Sequence, residues 1–248
     1  MKNRFPLLLV LVATVIVSTT SCSKQTAPAP STDYSFTEEF DTVSKAVAKG
    51  WVISNNSKPL GTVSWMQGFF YVSLYHGFTP GKTGGPFNYA SSNGFGGNNP
   101  SYSGADFIMT TSECGAGVAN LSNWLISPEV IVKNGDQVTF YSRTYANPAV
   151  GADKLEVRVN TLNSSADVGK DSNSVGGFKQ VILTINKDLL LQGAGSYPEA
   201  WTKYTATISG MPVAKKSRIA LRYYVTNGGP QGPNSLGIGV DKFQFVSY

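Results

Sequence analysis

Apolar and polar residues alternate over short stretches of this chain. In QVTFYSRTY (137–145), Val138 and Phe140 alternate with Thr139 and Tyr141, and in 155–159 Leu155, Val157 and Val159 share one parity while Glu156 and Arg158 take the other. A period of two is what a strand with one buried face requires. RIALRYYV repeats it, with Ile219, Leu221 and Tyr223 set against Ala220, Arg222 and Tyr224. Further strands are predicted over 63–75, 123–132, 178–186, 201–208, 217–226 and 236–247, separated by Gly, Asn, Pro and Ser. No long 3.6-residue period competes. Eight or more strands, with 26 Gly and 13 Pro in the chain, predict an all-β fold, a jelly-roll-type antiparallel β-sandwich. Trp51, Trp65, Trp124 and Trp201 fall in strand-like phrases and are expected in the core.

The ends of the chain change the picture. Lys2 and Arg4 precede an apolar run from Phe5 to Val17, and small residues follow up to Cys22, the plan of a secretory signal. Thr19-Thr20-Ser21-Cys22 resembles a bacterial lipobox in which Thr19 replaces the usual Leu. Residues 1–21 are therefore expected to be a lipoprotein signal peptide, with Cys22 acylated as the first mature residue. Incorporation of a palmitate analogue should then vanish in Cys22→Ala. Residues 22–33, polar and Pro-containing, are expected to be a flexible tether, and residues 34–248 a single domain. Such a protein would sit on a bacterial outer membrane, on either its periplasmic or its outer face.

Loss of residues 1–21 removes Lys2 and Arg4 and no acid, taking the formal charge from +5 to +3. Basic residues are scattered, Lys215-Lys216 being the only adjacent pair, which argues against a nucleic-acid partner. With Cys22 lipidated, Cys114 has no disulfide partner, so stability must come from a core. HGFTPGKT (76–83) ends like a phosphate-binding loop. However, the required first Gly is His76, with Gly77 one residue too close, and no helical pattern follows. No nucleotide is expected.

Eight phrases then occur in order: FTEEFDT, GWVISNNSKPLGTVSWMQG, LSNWLISPEVIV, GDQVTFYSRT, DKLEVRVNT, WTKYTATISG, SRIALRYYV and GIGVDKFQF. Together they resemble the choice-of-anchor J domains of bacterial surface proteins, relatives of the cleaved-adhesin domains, over about residues 34–248. The resemblance implies a jelly-roll sandwich outside the cytoplasm, engaged in adhesion or glycan binding more often than catalysis. It also implies a structural Ca²⁺ between the opening and closing strands, which maps onto Glu39, Asp41 and Asp241, where three like charges would otherwise repel. The chain departs from the pattern in having a single Asp241 where relatives often close with two acids, and in its long Gly/Asn loop 78–105.

Aromatic residues make up 12% of the chain, and several stand in loops: Phe78, Phe87, Tyr89, Phe95, Tyr102 and Tyr197. Of these Phe87, Tyr89, Phe95 and Tyr102, interleaved with Asn88, Asn93, Asn98 and Asn99, offer rings for sugar faces and amides for hydroxyls. The same rings would equally serve to pin the loop onto the sandwich. No nucleophile phrase surrounds His76 or Cys114, and zinc lacks ligands. A glycosidase needs only two carboxylates, for which Asp153 with Glu156 or Asp106 with Glu113 are the candidates. The expectation is a non-catalytic, lipid-anchored adhesion module for a glycan or a surface protein. A polysaccharide hydrolase and a structural subunit of an envelope assembly are the alternatives.

Overall fold

Residues with alternating burial pair into two antiparallel sheets in a computed structural model that describes residues 34–68, 107–145 and 151–248. The first sheet runs in the order β11 (Thr202–Thr207), β8 (Gln137–Thr144), β14 (Gly237–Val246), β5 (Ile108–Thr111) and β4 (Met66–Gln67), with β1 (Phe36–Glu38) paired to the far half of β14. The second has the order β10 (Gln180–Ile185), β9 (Leu155–Val159), β13 (Ile219–Gly228), β6 (Gly115–Ile126) and β2 (Val52–Asn55), with β3 (Lys58–Leu60) also on β6. The two inner faces close on a core that holds Phe140, Phe243 and Phe245 from the first sheet and Leu121, Leu155, Val157 and Leu221 from the second. The fold is thus the β-sandwich that the period of two predicts.

Two predicted strands take a different form. The stretch 123–132 divides at Ser127-Pro128: β6 ends at Ile126, and β7 (Val130–Val132) pairs with β12 (Lys215–Ser217) in a separate ribbon. Pro128 has no N–H to continue a ladder, while Ser127 bonds both ways with Ile219, its N–H to the carbonyl and its Oγ accepting from the N–H. Of the stretch 63–75 only Met66–Gln67 is a strand among the described residues. A short helix, α1 (Val43–Ala48), follows β1.

All four tryptophans are buried, in different places. Trp51 and Trp65 join the central core. Trp124 belongs to a cluster on the outer face of the second sheet, where Val168 and Phe178 from the segment 160–179 lie over Ile126 and Ala220. There the Arg222 guanidinium stands 4.7 Å from the Trp124 ring centre and 3.8 Å from that of Tyr224, and it bonds Glu156 at 3.2 Å. Trp201 packs edge-on to Phe107 at 5.4 Å on the outer face of the first sheet. Gly239 lies beneath, and a Cβ there would come within 2.9 Å of the Trp201 ring. The glycine therefore lets the ring lie across the strand.

Candidate functional site

Most of the second sheet's outer face is roofed by the segment just described. The β11–β8–β14–β1 end of the first sheet is exposed, and strand register puts its outward residues in rows. Thr205 is opposite Thr139, Thr139 opposite Gln244, and Gln244 opposite Thr37. In the next row Lys203 is opposite Tyr141 and Tyr141 opposite Asp241, where the exposed part of the row ends because Asp241 is buried. A cleft of about 330 Å³ opens here, lined among others by Tyr141, Lys203, Lys242 and Gln244. Half-buried Tyr141 packs against the buried Trp201–Phe107–Met109 cluster, so its ring stands between that apolar cluster and a field of hydroxyl, amide and ammonium groups. Sequence reasoning treated Tyr141 only as the polar parity of a strand. The face shows once register is known.

The opening and closing strands do meet. Phe36 to Glu38 pair with Phe245 to Phe243, and the aromatic core anchors the following turn through Phe40, whose ring packs on Trp51 at 5.0 Å. Phe40 adopts a left-handed φ of 53°, and Gln67 clamps it: Nε2 donates to the Phe40 carbonyl at 3.0 Å while Oε1 accepts from the Val43 N–H at 2.8 Å. Glu39 and Asp41 flank this pinned residue, Glu39 half-buried and Asp41 exposed.

Opposite them β14 has a bulge. Its register with β8 slips between Asp241 and Gln244, and Lys242 sits at φ 48°, uncommon for a residue with a side chain. Asp241 is 1% exposed. Its Oδ1 accepts from the Lys242 N–H at 2.7 Å, whereas Oδ2 is buried without a hydrogen-bond partner. Burial pushes the Asp241 carboxyl up to about 8, opposed by that N–H and reinforced by the charges of Glu39 and Asp41. The three sequence-predicted carboxylates therefore lie within electrostatic reach of one another. Among the described residues, no three acidic, His or Cys side chains are gathered closely enough to form a ready-made ligand cluster. Lys242 Nζ meanwhile stands 3.6 Å from Glu39 Oε2.

The orphaned, desolvated oxygen of Asp241 is what a hard cation would satisfy, and Glu39 and Asp41 are hard donors within electrostatic reach of it. The residues present fit Ca²⁺ in charge and donor type.

Other expectations fall differently. Phe87, Tyr89, Phe95, Tyr102, Phe78, His76, Asp106 and Cys22 lie outside the described residues. Tyr197 is a pin: it is 3% exposed, and its hydroxyl meets Ser142 Oγ at 2.7 Å. Cys114 is buried, and that burial pushes its thiol up to about 11. Asp153 and Glu156 do not form a glycosidase pair. Glu156 points to the outer face and bonds Arg158 Nε at 2.7 Å. Asp153 points inward, 1% exposed, where Thr144 Oγ1 and Tyr223 Oη each meet it at 2.5 Å. The N–H groups of Leu236 and Gly237 also donate to it, at 3.0 and 3.1 Å. It is a structural junction that the sequence did not reveal.

The chain is similar to several solved structures. One is a cleaved adhesin domain of Lys-gingipain from Porphyromonas gingivalis, with 16% identity over 86% of this chain and 98% of that one and a TM-score of 0.49. A second cleaved adhesin domain of Lys-gingipain has 18% identity over 86% and 99%, TM-score 0.45. A third structure, of carbohydrate-binding modules from the beta-sandwich superfamily, has 11% identity over 85% of this chain and 62% of that one, TM-score 0.41. No protein-family model and no curated protein matches the chain. The sandwich assignment itself rests on the strand pairing above.

Proposed function

We propose that this protein is a glycan-binding module of the bacterial envelope, a choice-of-anchor J lipoprotein held at the outer membrane through Cys22, and that the exposed end of the β11–β8–β14–β1 face is its binding surface. The observation that carries this reading is Tyr141, a half-buried ring that lines a cleft with Lys203, Thr139 and Gln244. Sugar rings stack an apolar face on such a ring, and their hydroxyls pair with the hydroxyl and amide groups around it. A protein partner fits less well, because the buried centre of a protein interface is depleted in charged groups and rich in large apolar anchors.

The sandwich holds this face rigid, as a module that binds without chemistry requires. Ca²⁺ is part of the same proposal. Asp241, with Glu39 and Asp41, would hold it where the first and last strands meet, tying the chain ends together beside the cleft.

Screening the purified protein on a glycan array, with reducing-sugar release measured in parallel, tests the reading. Binding without turnover is expected. Release of sugar that disappears with a single carboxylate-to-amide change would replace it by a hydrolase. Silence in both assays alongside a stable co-purifying protein would replace it by an assembly subunit.

A further inference from the structure

The charges of the cleft narrow the ligand's chemistry. Lys203 on β11 and Lys242 on β14 lie on opposite sides of Tyr141, with β8 between their strands. Both line the cleft. The placement of Lys242 is built into the backbone: in a regular strand consecutive residues face opposite sides, but at this bulge Asp241, opposite Tyr141, is followed at positive φ by Lys242, which lines the same cleft as Tyr141 and Gln244. A side-chain-bearing residue in that conformation is strained and is found where the surroundings impose it, often at a binding site.

Among the described residues three acids stand near the cleft. Glu39 faces Lys242 at 3.6 Å, a pair in which both side chains remain 40% or more exposed. Asp241 is buried behind it and Asp41 stands outside. Lys203 has no ion-pair partner among the described residues.

We infer that the ligand is an anionic polysaccharide, bearing carboxylate or sulfate groups, with its chain laid across Tyr141 and its charges met by Lys203 and Lys242. This rests on the glycan-binding reading and adds the charge class to it. Strands stand about 4.8 Å apart, so the backbones carrying the two ammonium groups are two spacings, roughly 10 Å, from each other. That span suits repeating charges along a polymer better than one small ion. Among the described residues two cations, Lys203 and Lys242, line the cleft, together with Thr37, Thr139 and Gln244. This is a sugar-like demand for hydroxyl partners and not the dense basic stripe that a nucleic acid requires.

Glu39 competes with the ligand for Lys242. Its removal is therefore expected to strengthen binding, a result that decorative surface lysines would not give.

The test is equilibrium binding of the purified protein, in chelator, to polygalacturonate, dextran sulfate and neutral dextran at low and high salt. Tight, salt-sensitive binding to one or both anionic polymers is expected, and which of the two binds tells uronate from sulfate. Lys203→Glu and Lys242→Glu should each weaken it tenfold or more, and Glu39→Gln should tighten it severalfold, with thermal melting confirming that every variant is folded. Inorganic sulfate should not compete at millimolar concentration. Equal binding to neutral dextran with all three variants unchanged would overturn the anionic assignment and leave the glycan reading standing. No binding to any polysaccharide, here and on the array, would remove both. Tighter binding to DNA or to phosphatidylglycerol vesicles, or full competition by inorganic sulfate, would also overturn it.

Discussion

Replacing Asp153 by alanine is expected to lower the melting temperature by on the order of 10 °C. The carboxylate accepts from Thr144, Tyr223, Leu236 and Gly237, joining β8, the lead-in to β9, β13 and the start of β14 in one buried junction. Alanine leaves at least three donors buried without an acceptor, and each such group costs about 1–3 kcal/mol. At roughly 2–4 °C per kcal/mol for a domain of this size, even the lower part of that range gives the stated shift. Asp153→Asn keeps one acceptor oxygen but turns an NH₂ towards groups that are themselves donors, so less than half of the loss should be recovered. Thermal unfolding checks both, and a melting curve unmoved by Asp153→Ala would mean the junction does not hold the strands.

The second large effect links pH to the cation. Burial raises Asp241 from 3.8 to about 8 and Asp153 from 3.8 to about 6. A carboxyl that binds its proton more tightly when folded stabilises the fold fully below its unfolded value, and that contribution is lost as pH rises through its folded value. In chelator, stability should therefore fall between pH 4 and 8. Both acids contribute below pH 6, and Asp241 carries the upper part of the window. One proton is worth about 1.4 kcal/mol per pH unit there, so from pH 6 to 8 the midpoint should drop by roughly 5–10 °C.

A bound Ca²⁺ takes the proton's place. Saturating calcium should flatten the profile above pH 6 and raise the midpoint at pH 8, by about 2.7 kcal/mol at a hundredfold excess over Kd. Asp241→Asn should remove both the slope above pH 6 and the calcium response. A slope that survives in Asp241→Asn would assign it to other groups, and identical curves in calcium and chelator would leave Glu39, Asp41 and Asp241 without a metal.

The contrast between Asp153 and Val157 shows how much was legible. Val157 announces itself through two neighbours of the same parity, Leu155 and Val159, because one face of the strand is buried along its whole length. The sandwich, most strand positions and the four buried tryptophans follow from that rule. Asp153 has no such signal: its partners lie 9, 70, 83 and 84 residues away, and long-range pairing alone unites them.

The binding face was hidden for the same reason. Tyr141 and Lys203 become neighbours only through the register of β8 with β11, which is set by non-local contacts and inverts with a slip of one residue. Glu39, Asp41 and Asp241 enter as a set only through a family resemblance, since no spacing in the sequence joins residues 200 positions apart. The bulge that brings Lys242 into the cleft was not anticipated, since nothing in VDKFQ marks a residue at positive φ.

The central claim is that the exposed end of the first sheet is where ligand binds. Side-chain footprinting by carbene labelling, with and without a saturating polysaccharide found on the array, tests it most directly. Tyr141, Lys203 and Gln244 should lose labelling together, while Tyr34 and Glu129, which line a separate hollow beside Trp51, stay unchanged. Protection at Tyr34 and Glu129, or anywhere else, with Tyr141 still fully labelled would contradict the account.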